Sequence, residues 1–393
     1  MPARLAPPTP RSPAVPDGVL TVNLHTGAAE FGAHQWDALL GPDGFYSSHR
    51  WIRSLELAHG PQPVLAATAG GLRGVLPTWT SSDTEAGGLF GLSEMTQQLI
   101  LTPSRQVLWL GPRRATAVTI TCTRDAMRPR TLHALLEAAR QLAVRRRLAG
   151  AVWPYLTGAH ALEAAACHPL AQAVLCTADT FVPVPADGMR ALEAAARSKD
   201  RRLWRREQEQ FARSATVEWT PLTAEVCTRI APLLAATRAK YGAGGGSALI
   251  HRTLRAQLDT GVAGKAVVAL ARTRHDHVVR AAAVFYRHGS TLHGRYWGTD
   301  PAAPPGAYFA LTIYRAVDWA ARHGVRRLHL SVSATAAKTR RGAQVTPLAL
   351  VHLPANADGR IDPASLRRHN LRTAQQWTHA SSDAWTRWTS PGM

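Results

Sequence analysis

With 393 residues and 46% hydrophobic content, the chain is too long for one ordinary core and too apolar to be disordered, so two lobes are the first expectation. Its four cysteines, Cys122, Cys167, Cys176 and Cys227, show neither paired nor C-x-x-C spacing, and no uncharged apolar run reaches the roughly 20 residues of a membrane helix; a disulfide framework, a zinc knuckle and a membrane span are excluded, and a reducing cytoplasmic setting is expected. The formal charge is +20, and only Lys199, Lys240, Lys265 and Lys338 among 46 basic residues are lysines; a GC-rich genome explains arginine in place of lysine, but the excess of basic over acidic residues points to a polyanion such as RNA.

Residues 1–18 are Pro-rich with two arginines and no apolar stretch, which reads as a disordered leader rather than a signal peptide. Val19 to Leu24 reads as a strand and His34 to Leu40 as a short helix. Ser47 or Ser48 then caps a helix with Trp51, Leu55 and Ala58 on one face. Pro63 to Ala69 and Leu72 to Thr80 form a hairpin about Gly70-Gly71. The pattern is weak from Ser81 to Arg113. Val118 to Cys122 is expected to be a strand, Arg130 to Arg147 a helix with Leu132, Leu135, Leu136, Ala139 and Leu142 inward, and Gly150 to Leu156 the strand that closes a first lobe. A helical connection over 157–180 includes His160 to Leu175, and Asp179 to Pro185 crosses into a second lobe.

The helix Leu192 to Arg213 carries Arg197, Arg201 and Arg205 at i, i+4 and i+8, with Arg202 and Arg206 as a parallel row, while Trp204 and Phe211 mark its buried side. Asp200 is the one acid between Arg197 and Arg206, so the rows suit an external anion. After a helix from Ala224 to Leu234, the run Lys240-Tyr-Gly-Ala-Gly-Gly-Gly-Ser247 reads as a hinge, since it lacks the Lys-Ser/Thr ending of a nucleotide loop. Another helix runs from Ala248 to Leu258. Three strands follow, Lys265 to Arg272, Val278 to Tyr286 and Thr291 to Gly298, as an antiparallel meander. His275-Asp276-His277 has metal-like spacing but sits at a hairpin turn without a third ligand, so no metal is assigned. A Pro/Gly loop feeds a helix with Phe309, Ile313, Val317 and Ala320 at helical spacing, stopped by Gly324. Strands at Arg326 to Ser333 and Leu348 to Leu353 come next, then a tail over 355–393 with Trp377, Trp385 and Trp388.

Meander, helix N-terminus, helix, strand is the order of a GNAT-type acyl-transfer core, and a wider order of helix, hairpin, strand, helix, strand is seen twice, which suggests two related lobes. The expected fold is α/β (α+β): tandem GNAT-like lobes over 19–156 and 181–354, each a mixed, largely antiparallel sheet flanked by helices, rather than one larger sheet. The second half resembles the Fem-type aminoacyltransferases and their FemAB-like relatives of peptidoglycan biosynthesis. The resemblance is carried by Gly294-Arg-Tyr-Trp-Gly298, by the helix from Tyr308 to His323 with Trp319-Ala320, by Gly324-Val-Arg-Arg-Leu328, by Lys338-Thr-Arg-Arg-Gly342 and by the basic run Lys199 to Glu207. It covers Phe181 to Leu353 well and Ser48 to Pro77 weakly.

Acyl transfer to an amine needs a neutral amine, a seat for the oxyanion and a hold on the leaving group, and an enzyme that binds both substrates for direct attack needs no nucleophile of its own. No Ser-His-Asp, Cys-His or paired-carboxylate arrangement stands out. What the resemblance implies is an aminoacyltransferase that draws on aminoacyl-tRNA as co-substrate, without a bound cofactor, and acts on a small-molecule or peptide acceptor. On it, Lys338 and Tyr296 are the expected catalytic residues; Arg295, Trp297, Gly306, Ala307 and Tyr308 bind substrate; and Arg201, Arg202, Arg205, Arg206, Arg340 and Arg341 meet tRNA phosphates. Strand alternation sends only one of Tyr296 and Trp297 into the cleft. The alternatives are an acyl-CoA N-acyltransferase of the same fold and a non-catalytic relative that binds RNA or a precursor. Against acyl-CoA stands Ala303-Pro-Pro-Gly-Ala-Tyr308, with one glycine where a pyrophosphate cradle has more. Thr335-Ala-Ala337 replaces the acidic and histidine residues found before the lysine in many relatives, which leaves the general base and the acceptor open, in specialised metabolism as well as in the cell wall.

Overall fold

The computed structural model describes residues 19–81, 88–242, 244–377 and 384–389; the leader at 1–18 lies outside them. Twelve strands form one sheet: β1 Thr21–His25, β2 Val64–Thr68, β3 Leu72–Thr80, β4 Val107–Leu110, β5 Gly150–Thr157, β6 Gln172–Pro183, β7 Ala215–Pro221, β8 Ala266–Thr273, β9 Val279–His288, β10 Thr291–Thr299, β11 Arg327–Ser331 and β12 Gln344–Pro354. Their spatial order is β1-β2-β3-β4-β5-β12-β6-β11-β10-β9-β8-β7.

Of these twelve strands, only β4 with β5 and β10 with β11 pair in parallel. A parallel pair needs a crossover, and each has a helix for it. Arg128–Arg145 serves the first, with Leu132, Leu135, Leu136 and Ala139 buried as their spacing predicts. A helix of three segments, Ala307–Phe309, Ala310–Tyr314 and Arg315–Arg322, serves the second, and its middle segment is a π-helical turn. These two units are the cores of two GNAT-like lobes.

The lobes are joined by an exchange of strands. β6 follows β5 in the chain yet pairs with β11 of the second lobe, while β12 follows β11 yet pairs with β5 of the first. β6 and β12 pair with each other over Gln172–Phe181 and Gln344–His352, which welds two sheets into one. The expectation of two sheets without a larger one is corrected here. The expected helical connection is helical only over Gly158–Ala166, because β6 begins at Gln172 and its buried run of Val174, Leu175 and Ala178 lies in the middle of the sheet. The expected strand at Val118 to Cys122 is an extended segment that makes isolated bridges, Val118 to Leu156 and Gly74 to Cys122. β4 and β7 were not anticipated; β4 has only four residues.

One face of the sheet carries a core that runs through both lobes. In it Phe45 stacks on Tyr286 at 5.2 Å, and Trp51 meets the same ring edge-on. The opposite face of the second lobe buries Phe285, Leu311, Ile313, Tyr314 and Val317 under the central helix. Trp385 and Trp388 of the tail are buried against the first core. Among the described residues no helix is long and apolar enough to cross a membrane.

Candidate functional site

The parallel pair β10–β11 is short. Thr291, Leu292 and His293 pair with Arg327, Leu328 and His329, and then the strands part. Both are irregular just beyond the paired histidines: β10 shifts register against β9 between Gly294 and Tyr296, and β11 shifts against β6 between His329 and Ser331. An extra residue in a strand bends it and re-aims a side chain. Arg295 is the extra residue of β10, so Tyr296 falls on the same face as His293, three residues before it, and Arg295 joins Tyr296 on that face instead of alternating with it. Its guanidinium lies over the rings of Tyr46, Trp51 and Tyr296 at 5.4, 5.6 and 5.5 Å and donates to the Arg114 carbonyl.

Tyr296 and Trp297 face opposite ways, as alternation requires. The Tyr296 hydroxyl accepts from Gln257 Nε2 at 3.0 Å, and Gln257 Oε1 accepts in turn from Tyr286, on the side of the first lobe. Trp297 turns to the other face and meets Tyr308 edge-on at 5.2 Å. The Tyr308 hydroxyl is pushed up to about 12 by burial. Gly306, at φ 75°, ends the loop in the left-handed region and Ala307 opens the central helix, whose first-turn N–H groups have no partner within the helix.

Lys338 is not presented to the opening. It is 1% exposed, and its Nζ donates to the carbonyls of Leu330, Ser331 and Val332 at 2.6, 3.3 and 3.4 Å and to Thr180 Oγ1 at 3.3 Å. Ser331, Ser333 and Ala334 all have positive φ, so the lysine ties down a turn of left-handed non-glycine residues. Burial lowers its pKa to about 8, against an opposing pull from Asp179. The expected catalytic lysine is thus placed as the support of the loop that forms one wall.

The basic helix Ser198–Ser214 lies beside the start of the central helix. Trp204 Nε1 donates to the Arg340 carbonyl at 2.8 Å, and Glu207 takes the Tyr314 hydroxyl at 2.6 Å. Arg341, expected on a phosphate-binding surface, is buried instead: it grips Glu207 with Nε and Nη2 at 2.9 and 2.5 Å, and its guanidinium lies 3.4 Å over the Phe309 ring. Arg202, Arg205, Arg206 and Arg340 are exposed and Arg201 is half-buried. Arg205 pairs with Glu193 at 3.0 Å. His275 to His277 form the β8–β9 turn, where Asp276 takes Arg280 at 2.9 Å.

The two lobes differ at their parallel pairs. In the first, β4 and β5 also part beyond Trp109 and Val152, but the chain's own segment fills the gap: Val118 N donates to Tyr155 O at 2.8 Å, Val75 N to Thr121 O at 3.0 Å and Thr123 N to Arg73 O at 2.8 Å. The start of that segment reaches the second opening, where Arg114 O meets Arg295 and Thr116 Oγ1 lies 2.6 Å from Ser331 Oγ. Arg238, half-buried, has its pKa lowered by burial and by the charges of Arg114 and Arg295, so three guanidinium groups gather at this opening.

Sequence reasoning missed Tyr46, Asp179, His293 and His329. Asp179 Oδ1 lies 2.8 Å from His329 Nε2, and both side chains are buried. Their separation of 150 residues hides the pair from any motif; the one local sign is a histidine between two leucines of the strand, Leu328-His-Leu330.

The fold and part of the sequence have known counterparts. The crystal structure of FemX superposes with a TM-score of 0.55 at 11% identity, over 84% of this chain and 97% of that one. The C-terminal domain of a protein named as a lysylphosphatidylglycerol synthetase from Agrobacterium fabrum gives 0.54 at 11% identity, over 85% and 94%. A conserved protein of unknown function from Bacteroides thetaiotaomicron gives 0.53 at 11%, over 82% and 98%. At such identities these likenesses concern the fold. No curated protein matches the sequence. The family described as FemAB-like, peptidoglycan biosynthesis/recognition, matches residues 115–378, about two thirds of the chain and all of the second opening's β10, central helix and β11. The chain belongs to the FemAB-like family.

Proposed function

We propose that the protein is an aminoacyltransferase that moves an aminoacyl group from a charged tRNA to an amine of a peptide or small-molecule acceptor at the β10–β11 opening. The observation that carries this reading is the exposed arginine face of the helix Ser198–Ser214 beside the N-terminus of the central helix. A helix N-terminus attracts anions, and a row of guanidinium groups next to it extends that attraction along a polyphosphate chain. The loop ahead of the helix, with three prolines, Pro301, Pro304 and Pro305, and one glycine, is a poor cradle for a compact pyrophosphate. The chemistry is direct attack: the acceptor nitrogen bonds to the ester carbonyl carbon, the bond to the ribose oxygen breaks, and backbone N–H groups at Gly306 and Tyr308, either side of the Ala307 N–H that donates to Pro304 O, face the charge that develops.

The test is transfer of labelled amino acid from bulk charged tRNA, with a ribonuclease control, together with charged-tRNA affinity measured against salt. Arg205 is engaged by Glu193, so Arg202 and Arg206 are the better pair to replace. Each phosphate contact contributes roughly 0.7 to 0.9 to the slope of log affinity against log salt, so Arg202→Gln with Arg206→Gln flattens it by about one to two units. An unchanged slope, or tight coenzyme A binding without tRNA binding, transfers the assignment to an acyl-CoA enzyme.

A further inference from the structure

Beneath the opening lies a closed group of polar side chains. His293 and His329, the last paired residues of β10 and β11, have ring centroids 5.2 Å apart. Tyr46 stands edge-on to them at 5.5 and 6.2 Å. Asp179 holds His329 from β6, and Arg295 lies over Tyr46. Tyr46, Asp179, His293 and His329 are 1%, 3%, 4% and 3% exposed. Within this group five buried atoms have no hydrogen-bond partner: Tyr46 Oη, His293 Nδ1 and Nε2, His329 Nδ1 and Arg295 Nε. Buried polar atoms are nearly always paired, so a cluster of orphans directly under a reacting site marks groups kept for exchange with something that enters.

The carboxylate sets the state of His329. With Asp179 accepting from Nε2–H, the lone pair of the ring sits on Nδ1, the unpartnered atom, and the anion stabilises the imidazolium that forms when Nδ1 takes a proton.

We propose that Asp179 and His329, with His293 and Tyr46 about them, form the proton-accepting relay for the attacking amine, their unpartnered atoms joining into a hydrogen-bonded path as the acceptor enters, an assignment that rests on the aminoacyl-transfer reading above. As the nitrogen bonds to the ester carbonyl, it gives up a proton to the relay, which ends on His329 beside Asp179. As the carbon–oxygen bond to the ribose breaks, the same proton returns to the departing oxygen. Amine and ester become amide and hydroxyl, and the relay is restored. The charged and titratable groups that face it are Arg327 and His288 toward His293, Arg295 and Tyr296 toward Tyr46, and Lys338 toward Asp179.

The experiment measures single-turnover transfer by the full chain from bulk aminoacyl-tRNA, and in parallel from acetyl-CoA, to glycinamide and to hydroxylamine across pH. Hydroxylamine is unprotonated at neutral pH and depends less on a base. His329→Gln is expected to slow transfer to glycinamide by about 100-fold or more and to slow hydroxylamine far less. Asp179→Asn, which leaves the His329 ring without its carboxylate partner, is expected to slow glycinamide selectively in the same way. His293→Gln has no hydrogen bond to lose and serves as the second variant if His329→Gln fails to fold. Equal slowing of both nucleophiles overturns the relay while leaving acyl transfer standing. A wild-type chain that transfers from neither donor overturns the transfer reading and the relay with it.

Discussion

The Lys338 ammonium is the largest charged group among the fully buried side chains, and burial brings its pKa from 10.5 to about 8. Between those values the unfolded chain keeps a proton that the native protein has released, so native stability rises with pH across that window, by roughly 3 kcal/mol in all. Lys338→Met removes the titration but leaves the carbonyls of Leu330, Ser331 and Val332 without their donor. The variant is expected to be less stable at every pH, and its deficit in urea unfolding should widen from pH 7.5 to pH 10. A deficit that stays constant would mean that the buried amine keeps an ordinary pKa. Residue by residue, the sequence showed composition but not pairing. Arg341 stands in a basic run and read as surface, yet its carboxylate, Glu207, is 134 residues away. Trp204 and Phe211, by contrast, were legible as the buried side of their helix, because helical period alone places them.

Elements lie close where glycine permits it. A Cβ at Gly298 of β10 would stand 2.4 Å from Leu234 N and 2.5 Å from Leu233 C, the backbone of the helix Ala224–Lys240. A backbone cannot swing away as a flexible side chain can, so Gly298→Ala must push the whole helix off the strand. The expected loss is about 1–3 kcal/mol, read as a lowered urea midpoint with the slope unchanged. Because that helix carries Arg238 to the opening, transfer activity should fall as well; a variant with wild-type midpoint would show that the helix is not seated there. The meander β8, β9 and β10 was legible from its alternation and turns, and so was the opposite facing of Tyr296 and Trp297. The shift at Arg295 was not, because it belongs to the pairing of two strands and leaves no mark in the period of either.

At the scale of the molecule, acid is the expected weakness. His160, His288, His293, His352 and His369 all have pKa values lowered by burial, His352 to about 4. The unfolded chain takes these protons near pH 6.5 and the native one only at lower pH, so stability declines as pH falls through 6.5; His352 alone accounts for roughly 3 kcal/mol by pH 4. Glu30 and Glu137, held near 2 chiefly by their hydrogen bonds to His25 and Arg140, add to the loss only below about pH 4.5. The unfolding temperature should therefore drop steadily between pH 7.5 and 5; a constant one would count against neutral, buried imidazoles. The tandem plan of the chain was legible in its repeated order of elements, but the join between the halves was not, since neither β6 nor β12 carries any sign of which neighbour it will choose.

That choice bears on how the protein is made. Synthesis proceeds from the N-terminus, so β5 emerges with its neighbour on one side, β4, while its other neighbour, β12, begins only at Gln344. For nearly two hundred residues of translation the first half waits with an unpaired strand edge, the kind of surface that invites wrong partners. β6 waits in the same way for β11. Neither half has its full set of strand neighbours until β12 is made, and that one strand completes both.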